Sequence, residues 1–493
     1  MIRRVARARR HLALITASTA LLAGCHDASG PSESPLPPAA ADTARVTVHP
    51  DLPGVRIPAD FLGLGFEMPA LRDPRFAGDA AFERLLTNLG PGVLRFGGNS
   101  VELTGWAPVA PGQTSDALVL TPADFDRIFG FAARVGWHVI MDLRLARFEP
   151  DTAAAEVAAL RSAGGSNLLA AEIGNEPDLY PASGARSAGW NGDSLAGETA
   201  VYATRIHART PGAPVAAPAT TCSSTGPSFF DAVLGAGVPL VLATHHFYPM
   251  TASAPADSPE FASIANMLSA TLMARTAACI NAAARTAAAH GVPLRLDETN
   301  SASGFGKAGV SDVLASALWA VDHFFTAAEQ GTSGVNVQSG TDLQGGLTCA
   351  GIYLPFCGRQ GGPYTARPLY YAMLLVHAAA RGRLVPVAVQ STFNVTAHAA
   401  LDDDGTLRVV VVNKEATHAV RVRLVTAGAY ANAGVLRLVG PALDRGDSVT
   451  FAGATVGGDG SWTPGPAEAV GTDGTGFVLT VPAGSAGVVS LSR

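Results

Sequence analysis

Two glutamates stand in settings suited to acid–base work. In AAEIGNEPDLY (170–180) an apolar run through Leu168, Leu169, Ala170, Ala171 and Ile173 breaks at Gly174. It then delivers Asn175 and Glu176 just ahead of Pro177. Proline has no ladder donor and steers its predecessor away from helical geometry, which predicts Glu176 at the C-terminal end of a strand, facing a mouth. VPLRLDETNS (292–301) repeats the device, with a strand-like run ending at Glu298. Two carboxylates, each closing its own strand, are what retaining glycoside hydrolysis needs: one attacks the anomeric carbon while the other protonates the leaving oxygen. Asn175 is placed to bind a sugar hydroxyl. Glu172 lies within its strand, and in regular alternation Asp297 points to the face opposite Glu298; both read as structural pairing groups.

The elements that must position these groups alternate in type. Strand-like runs fall at 61–67, 92–98, 138–144, 168–175, 214–219, 241–248, 293–298 and 334–340, with Ala-rich helical stretches such as 123–136 and 312–331 between most of them. Eight such units predict a (β/α)8 barrel over 61–381. A doubly wound open sheet is the alternative; it lacks its Gly-rich phosphate turn, because Phe66-Glu67-Met68-Pro69 follows the first strand instead. In a barrel all strand C-termini share one mouth, so Glu176 at strand four and Glu298 at strand seven can converge there. After Gly382 the texture becomes all-β (LRVVVVNK, HAVRVRLV, GFVLTVPA), predicting a β-sandwich over 382–493. RVTVHPDLPGVRI (45–57) has the same character, so 43–60 is expected to join that sandwich.

The first 25 residues read as a targeting segment. Five arginines in the first ten are followed by an apolar stretch too short to span a bilayer, ending Leu22-Ala23-Gly24-Cys25. That ending resembles a bacterial lipobox, which implies Cys25 as a lipid attachment site, an envelope location and membrane contact only through the anchor. Residues 26–42, rich in Ser, Pro and Ala, read as a tether. The net charge of −6 becomes −11 once those five positive charges are gone, a balance that argues against nucleic-acid binding. Of the four remaining cysteines, Cys349 and Cys357 enclose the short segment AGIYLPF and are the preferred disulfide. No cysteine–histidine cluster has zinc-ligand spacing, so neither metal nor cofactor is expected.

Further segments carry a family likeness. Leu94-Arg95-Phe96-Gly97-Gly98-Asn99-Ser100, Thr244-His245-His246-Phe247-Tyr248-Pro249, Glu298-Thr299-Asn300-Ser301, Arg367-Pro368-Leu369-Tyr370-Tyr371 and Gly460-Ser461-Trp462-Thr463-Pro464 accompany Gly174-Asn175-Glu176-Pro177. Together they resemble glycoside hydrolase family 79, the β-glucuronidase and heparanase family, over essentially the whole chain after the tether. The resemblance implies Glu176 as acid/base, Glu298 as nucleophile, Asn175 on the sugar 2-hydroxyl and Tyr248 orienting the nucleophile. It further implies that Glu67, Asn99, Gln338 and Gly304 face the sugar and that Gly351-Ile352-Tyr353 grips a uronic carboxylate. His245 and His246 are expected to pack or hydrogen-bond at the mouth. One departure bears on the sugar: Ser303 stands where the family's β-glucuronidases often place a tyrosine, and Lys307 follows close by. The expected substrate is a glucuronide-containing glycan or glycoside. Two alternatives stand beside it: the same chemistry on a neutral or methylated sugar, and an inactive surface glycan-binding protein.

Overall fold

The computed structural model describes residues 44–52, 54–109, 116–339, 349 and 351–493. The targeting segment, Cys25 and the tether lie outside the described residues. Eight parallel strands close into a barrel: Leu62–Glu67, Gly92–Gly97, Trp137–Leu143, Leu168–Ile173, Val215–Thr221, Leu242–Phe247, Leu294–Thr299 and Val335–Gln338. Closure by pairing of the eighth strand with both the first and the seventh rules out the open-sheet alternative. These strands are almost wholly buried because helices cover one face and the barrel interior fills the other, hence their near-continuous apolar runs.

The helices read as their sequences dictate. Pro122–Val135 starts with proline in its first turn and a capping box between Thr121 and Asp124, and it stops at Gly136, left-handed at φ 72°. Leu314–Glu329 departs from amphipathic patterning, with every residue from Leu314 to Ala328 buried. It is covered on both sides, by the barrel and by the C-terminal strands, and a helix apolar all round needs such cover.

The C-terminal region forms two largely antiparallel sheets. One contains Val395–Leu401, Leu407–Asn413, Ser485–Ser492 and Asn432–Val439 in that order. In the other, the N-terminal strand Ala44–Val48 sits between Val387–Ser391, antiparallel, and Val420–Thr426, parallel. Val46 and Val48 bury themselves with Val422, Leu424, Val409 and Val411, the pattern expected of a half-buried strand facing a second sheet. Val488, Leu438 and Phe451 belong instead to the apolar core that continues into the barrel.

A buried charged network fastens this region to the barrel. Asp322 of helix Leu314–Glu329 accepts from Lys414 Nζ at 2.8 Å and Thr396 Oγ1 at 2.6 Å, and meets His398 Nε2 at 3.1 Å. The other ring nitrogen of His398 lies 2.7 Å from Glu329. Burial opposes charge on His398, but the Glu329 and Asp322 carboxylates outweigh it and raise its pKa to about 9. Asp322 is held down to about 2, chiefly by Lys414 against the cost of burial. Because the folded His398 pKa exceeds the unfolded value of about 6.5, its contribution is complete below that pH and is lost as pH rises through about 9. Asp322→Ala strands the Lys414 ammonium and is expected to cost about 3–5 kcal/mol in urea unfolding. Unchanged stability in that variant would show that the network fastens nothing.

Candidate active site

Strand ends and the loops beyond them surround a cavity of about 430 Å³ at the C-terminal mouth of the barrel. Glu67, Asn99, Glu176, Tyr248, Glu298, Gly304, Gln338 and Tyr353 all line it. Asn175 and Gly351 do not. The Asn175 side chain turns inward, accepting from Arg95 at 2.9 Å and donating to Asn99 at 3.3 Å. The Gly351 carbonyl is taken by Arg367, which also holds the carbonyls of Ile352 and Cys349.

Glu176 reaches the mouth through a strained turn. Gly174 has φ 82°, and Glu176 is itself left-handed at φ 47°, ψ 50°. The surroundings hold it: its N–H donates to Ala219 O at 3.0 Å, and Asp178 accepts from Thr221 and Ser223 on the next strand's loop. Its carboxylate meets His246 Nδ1 at 3.2 Å.

Glu298 accepts from two donors, Tyr248 Oη at 2.8 Å and Arg95 Nη1 at 2.5 Å. A Glu176 oxygen and a Glu298 oxygen lie within 4.8 Å of one another and of a His246 nitrogen. Such closeness suits direct attack by one carboxylate, whereas inserting a water between them needs about 6.5–9.5 Å between carboxyl groups.

Beneath the pair lies a charge cluster that reading the strands did not reveal. Arg95, fully buried, binds Asp142 through two donors at 2.6 and 3.1 Å, Glu172 at 3.1 Å and Asp297 at 3.5 Å besides Glu298. Asp297 also faces His246 Nε2 at 3.6 Å. The expectation that Asp297 points away from Glu298 is therefore corrected: both reach Arg95. Pairing of the seventh strand is irregular between Leu296 and Glu298, and such a bulge cancels the two-residue alternation. His246 hydrogen-bonds at the mouth as expected, to Glu176, with Glu298 Oε2 3.9 Å from the same nitrogen. His245 is buried apart from them, 3.2 Å from Thr220 Oγ1.

Burial raises the Glu176 pKa, and the nearby Glu298 charge adds to the rise against the His246 hydrogen bond. His246 goes up to about 10, because Glu298 and Asp297 overcome its burial. Glu172 is raised well above the carboxylate range by burial and by Asp297 and Asp142, whereas His246 and Arg95 hold Asp297 low against the cost of burial. Glu67 rises to about 7, through burial first, although Ser100 donates to it from its N–H at 2.8 Å and from its hydroxyl.

The Gly97-Gly98 pair has a steric cause. A Cβ on Gly97 would lie 1.7 Å from Asp142 Oδ2, and one on Gly98, at φ 71°, would lie 2.5 Å from Glu67 Oε1.

The loops are tied down. Asn300 Nδ2 donates to Gln338 O at 3.0 Å and Tyr353 O at 3.2 Å, joining strand seven to the chain after strand eight. Cys349 and Cys357 are bonded, with Cα atoms 5.0 Å apart, and Cys222 is bonded to Cys279 of helix Ala270–Ala289. Lys307 turns its ammonium over the Phe261 ring at 4.3 Å. Among the described residues two groups have the composition of a cation site, Glu176–His246–Glu298 and Cys222–His245–Cys279. In the second both thiols are consumed by the disulfide.

No protein-family model matches this sequence, and no curated protein matches it. Solved structures do match in fold. A 4-O-α-L-rhamnosyl-β-D-glucuronidase from Fusarium oxysporum 12S superposes with a TM-score of 0.73 at 19% identity, covering 90% of this chain and all of that one. A GH51 arabinofuranosidase from Xanthomonas axonopodis pv. citri gives 0.68 at 14% identity, covering 92% of this chain and all of the other. A Paenibacillus polymyxa xyloglucanase from glycoside hydrolase family 44 gives 0.63 at 13%, with the same shares. The chain thus has the barrel-plus-β-sandwich architecture of these glycoside hydrolases.

Proposed function

We propose that this protein is a retaining β-glycosidase and that its glycone is glucuronic acid. The observation carrying the first part is the unlike pair of close carboxylates. Glu298 is held by Arg95 and Tyr248, whereas burial raises the pKa of Glu176 and so favours its protonated form. Glu298 attacks the anomeric carbon, and the bond to the leaving oxygen breaks as Glu176 hands over its proton. The product is a glycosyl ester on Glu298 and a free alcohol. Water then gives a proton to Glu176 and its oxygen to the anomeric carbon, releasing Glu298 and a sugar of retained β-configuration. A catalytically inactive glycan-binding barrel would have no use for two carboxylates at this separation.

The glucuronide reading is supported by Tyr353, which lines the cavity and lies close to Tyr248, by the fixed loop behind it, and by the name of the Fusarium oxysporum protein. A neutral glycone keeps the same chemistry. It is favoured by Ser303 and by Glu67, whose carboxyl lines the cavity. A panel of aryl glucuronide, galacturonide, glucoside and xyloside separates the two, with the glucuronide expected to have the highest kcat/KM. Tyr353→Phe should cost a charge-assisted hydrogen bond, about 10- to 150-fold on the glucuronide, while sparing the glucoside. Equal losses on both sugars, or a wild type that prefers the glucoside, would remove the uronic reading and leave the two-glutamate mechanism in place.

A further inference from the structure

The cavity extends beyond the groups that its chemistry uses. Glu67, Asn99, Gln338 and Tyr353 line the side built by strands one, two and eight. Ser223, Glu260 and Arg275 line the opposite side, from chain that follows strands five and six. Glu176, on strand four, gives its proton to the leaving oxygen, so the leaving group points toward this second side.

That side is a built rim. Met250–Thr251 and Ala302–Ser303 pair as a short parallel ribbon joining the loops after strands six and seven. Ser303 Oγ donates to Thr251 Oγ1 at 3.2 Å, and Thr251 N donates to Glu260 O at 2.9 Å. Arg275, on helix Ala270–Ala289, faces Glu260 at 3.8 Å and donates Nη1 to Pro259 O at 2.6 Å. The Cys222–Cys279 bond anchors the same helix to the loop carrying Ser223.

Phe305 completes the rim. It lies between Gly304 and Gly306, all three at positive φ, and its own value of 65° is costly for an aromatic residue. What this backbone achieves is display: the ring lines the cavity, is 38% exposed, and stands 6.5 Å from the Tyr353 ring. An apolar ring held in solvent by a strained turn gains when a ligand face covers it.

We propose that this rim is a leaving-group subsite that takes a neutral sugar ring, stacked on Phe305, with two hydroxyls shared between Glu260 and Arg275; the proposal rests on the glycosidase reading above. A carboxylate only accepts and a guanidinium only donates, whereas a sugar hydroxyl does both. The Glu260–Arg275 pair can therefore bind neighbouring hydroxyls at once. An anionic second ring is disfavoured, since Glu260 already stands beside the cation and three further carboxyl groups line the cavity.

The test compares two substrates with one glycone: the glycosyl fluoride, whose leaving group is a single atom, and the disaccharide in which that glycone is β-linked to galactose. For Phe305→Ala and for Arg275→Met, the ratio of kcat/KM on the disaccharide to kcat/KM on the fluoride should fall about ten-fold or more. Glu260→Gln, which keeps the shape, should lower it less. A wild type that cleaves the fluoride, with ratios that no substitution moves, overturns the subsite and leaves the glycosidase reading standing. So does a wild type that prefers a sulfated galactose in the leaving position. A wild type that turns over neither substrate with any of the four glycones of the panel overturns both.

Discussion

Glu298→Ala is expected to lower turnover of an aryl glycoside by about five to six orders of magnitude. Added azide should restore part of it as the α-glycosyl azide. The carboxylate that attacks the anomeric carbon is gone, and the space left beside Arg95 and Tyr248 admits a small anion on the same face of the sugar. The azide attacks from that face and the aryl oxide leaves from the other, so the azide product is inverted once. The fold should survive the change, because Arg95 keeps Asp142 and Glu172 as partners. An unaltered unfolding midpoint with lost turnover assigns the effect to chemistry. Turnover near the wild-type level would remove Glu298 from the mechanism.

Glu176→Gln should divide substrates by their leaving groups. Alkyl glycosides and oligosaccharides need a proton at the departing oxygen and should slow by about 10²–10⁴-fold. A dinitrophenyl glycoside, which leaves as a stable anion, should lose far less in its first step. The pH profile gives a second readout. A raised pKa keeps Glu176 protonated to higher pH, so activity falls on the alkaline side as that proton is lost. His246, raised to about 10, remains charged at neutral pH. In the Gln variant the alkaline limb should disappear for the activated substrate. Equal losses across leaving groups would mean that Glu176 binds or supports rather than donates.

Much of this was legible in the chain because it depends on local patterning. Apolar runs ending at Gly174-Asn175-Glu176-Pro177 and at Asp297-Glu298 mark strand ends. Eight strand–helix alternations imply a barrel, and a barrel gathers its strand C-termini at one mouth. The pairing of 44–48 with the late sheets followed from the shared alternation of valines with polar residues.

What the tertiary structure decided lies in contacts between residues far apart in the chain. Arg95 stands in an otherwise apolar strand, and a buried arginine must find acceptors; the sequence carries that signal without saying which groups it binds. The choice of Asp142, Glu172, Asp297 and Glu298 depends on barrel closure and on the irregular pairing at Asp297, where a local bulge overrides the two-residue rule. Asn175 shows the same limit, since its neighbour Glu176 opens into the cavity while its own amide is drawn inward by Arg95. Residue type and spacing thus determined that two carboxylates would meet. Their separation and the groups that hold them were decided only when the closed barrel brought distant strands together around Arg95 and His246.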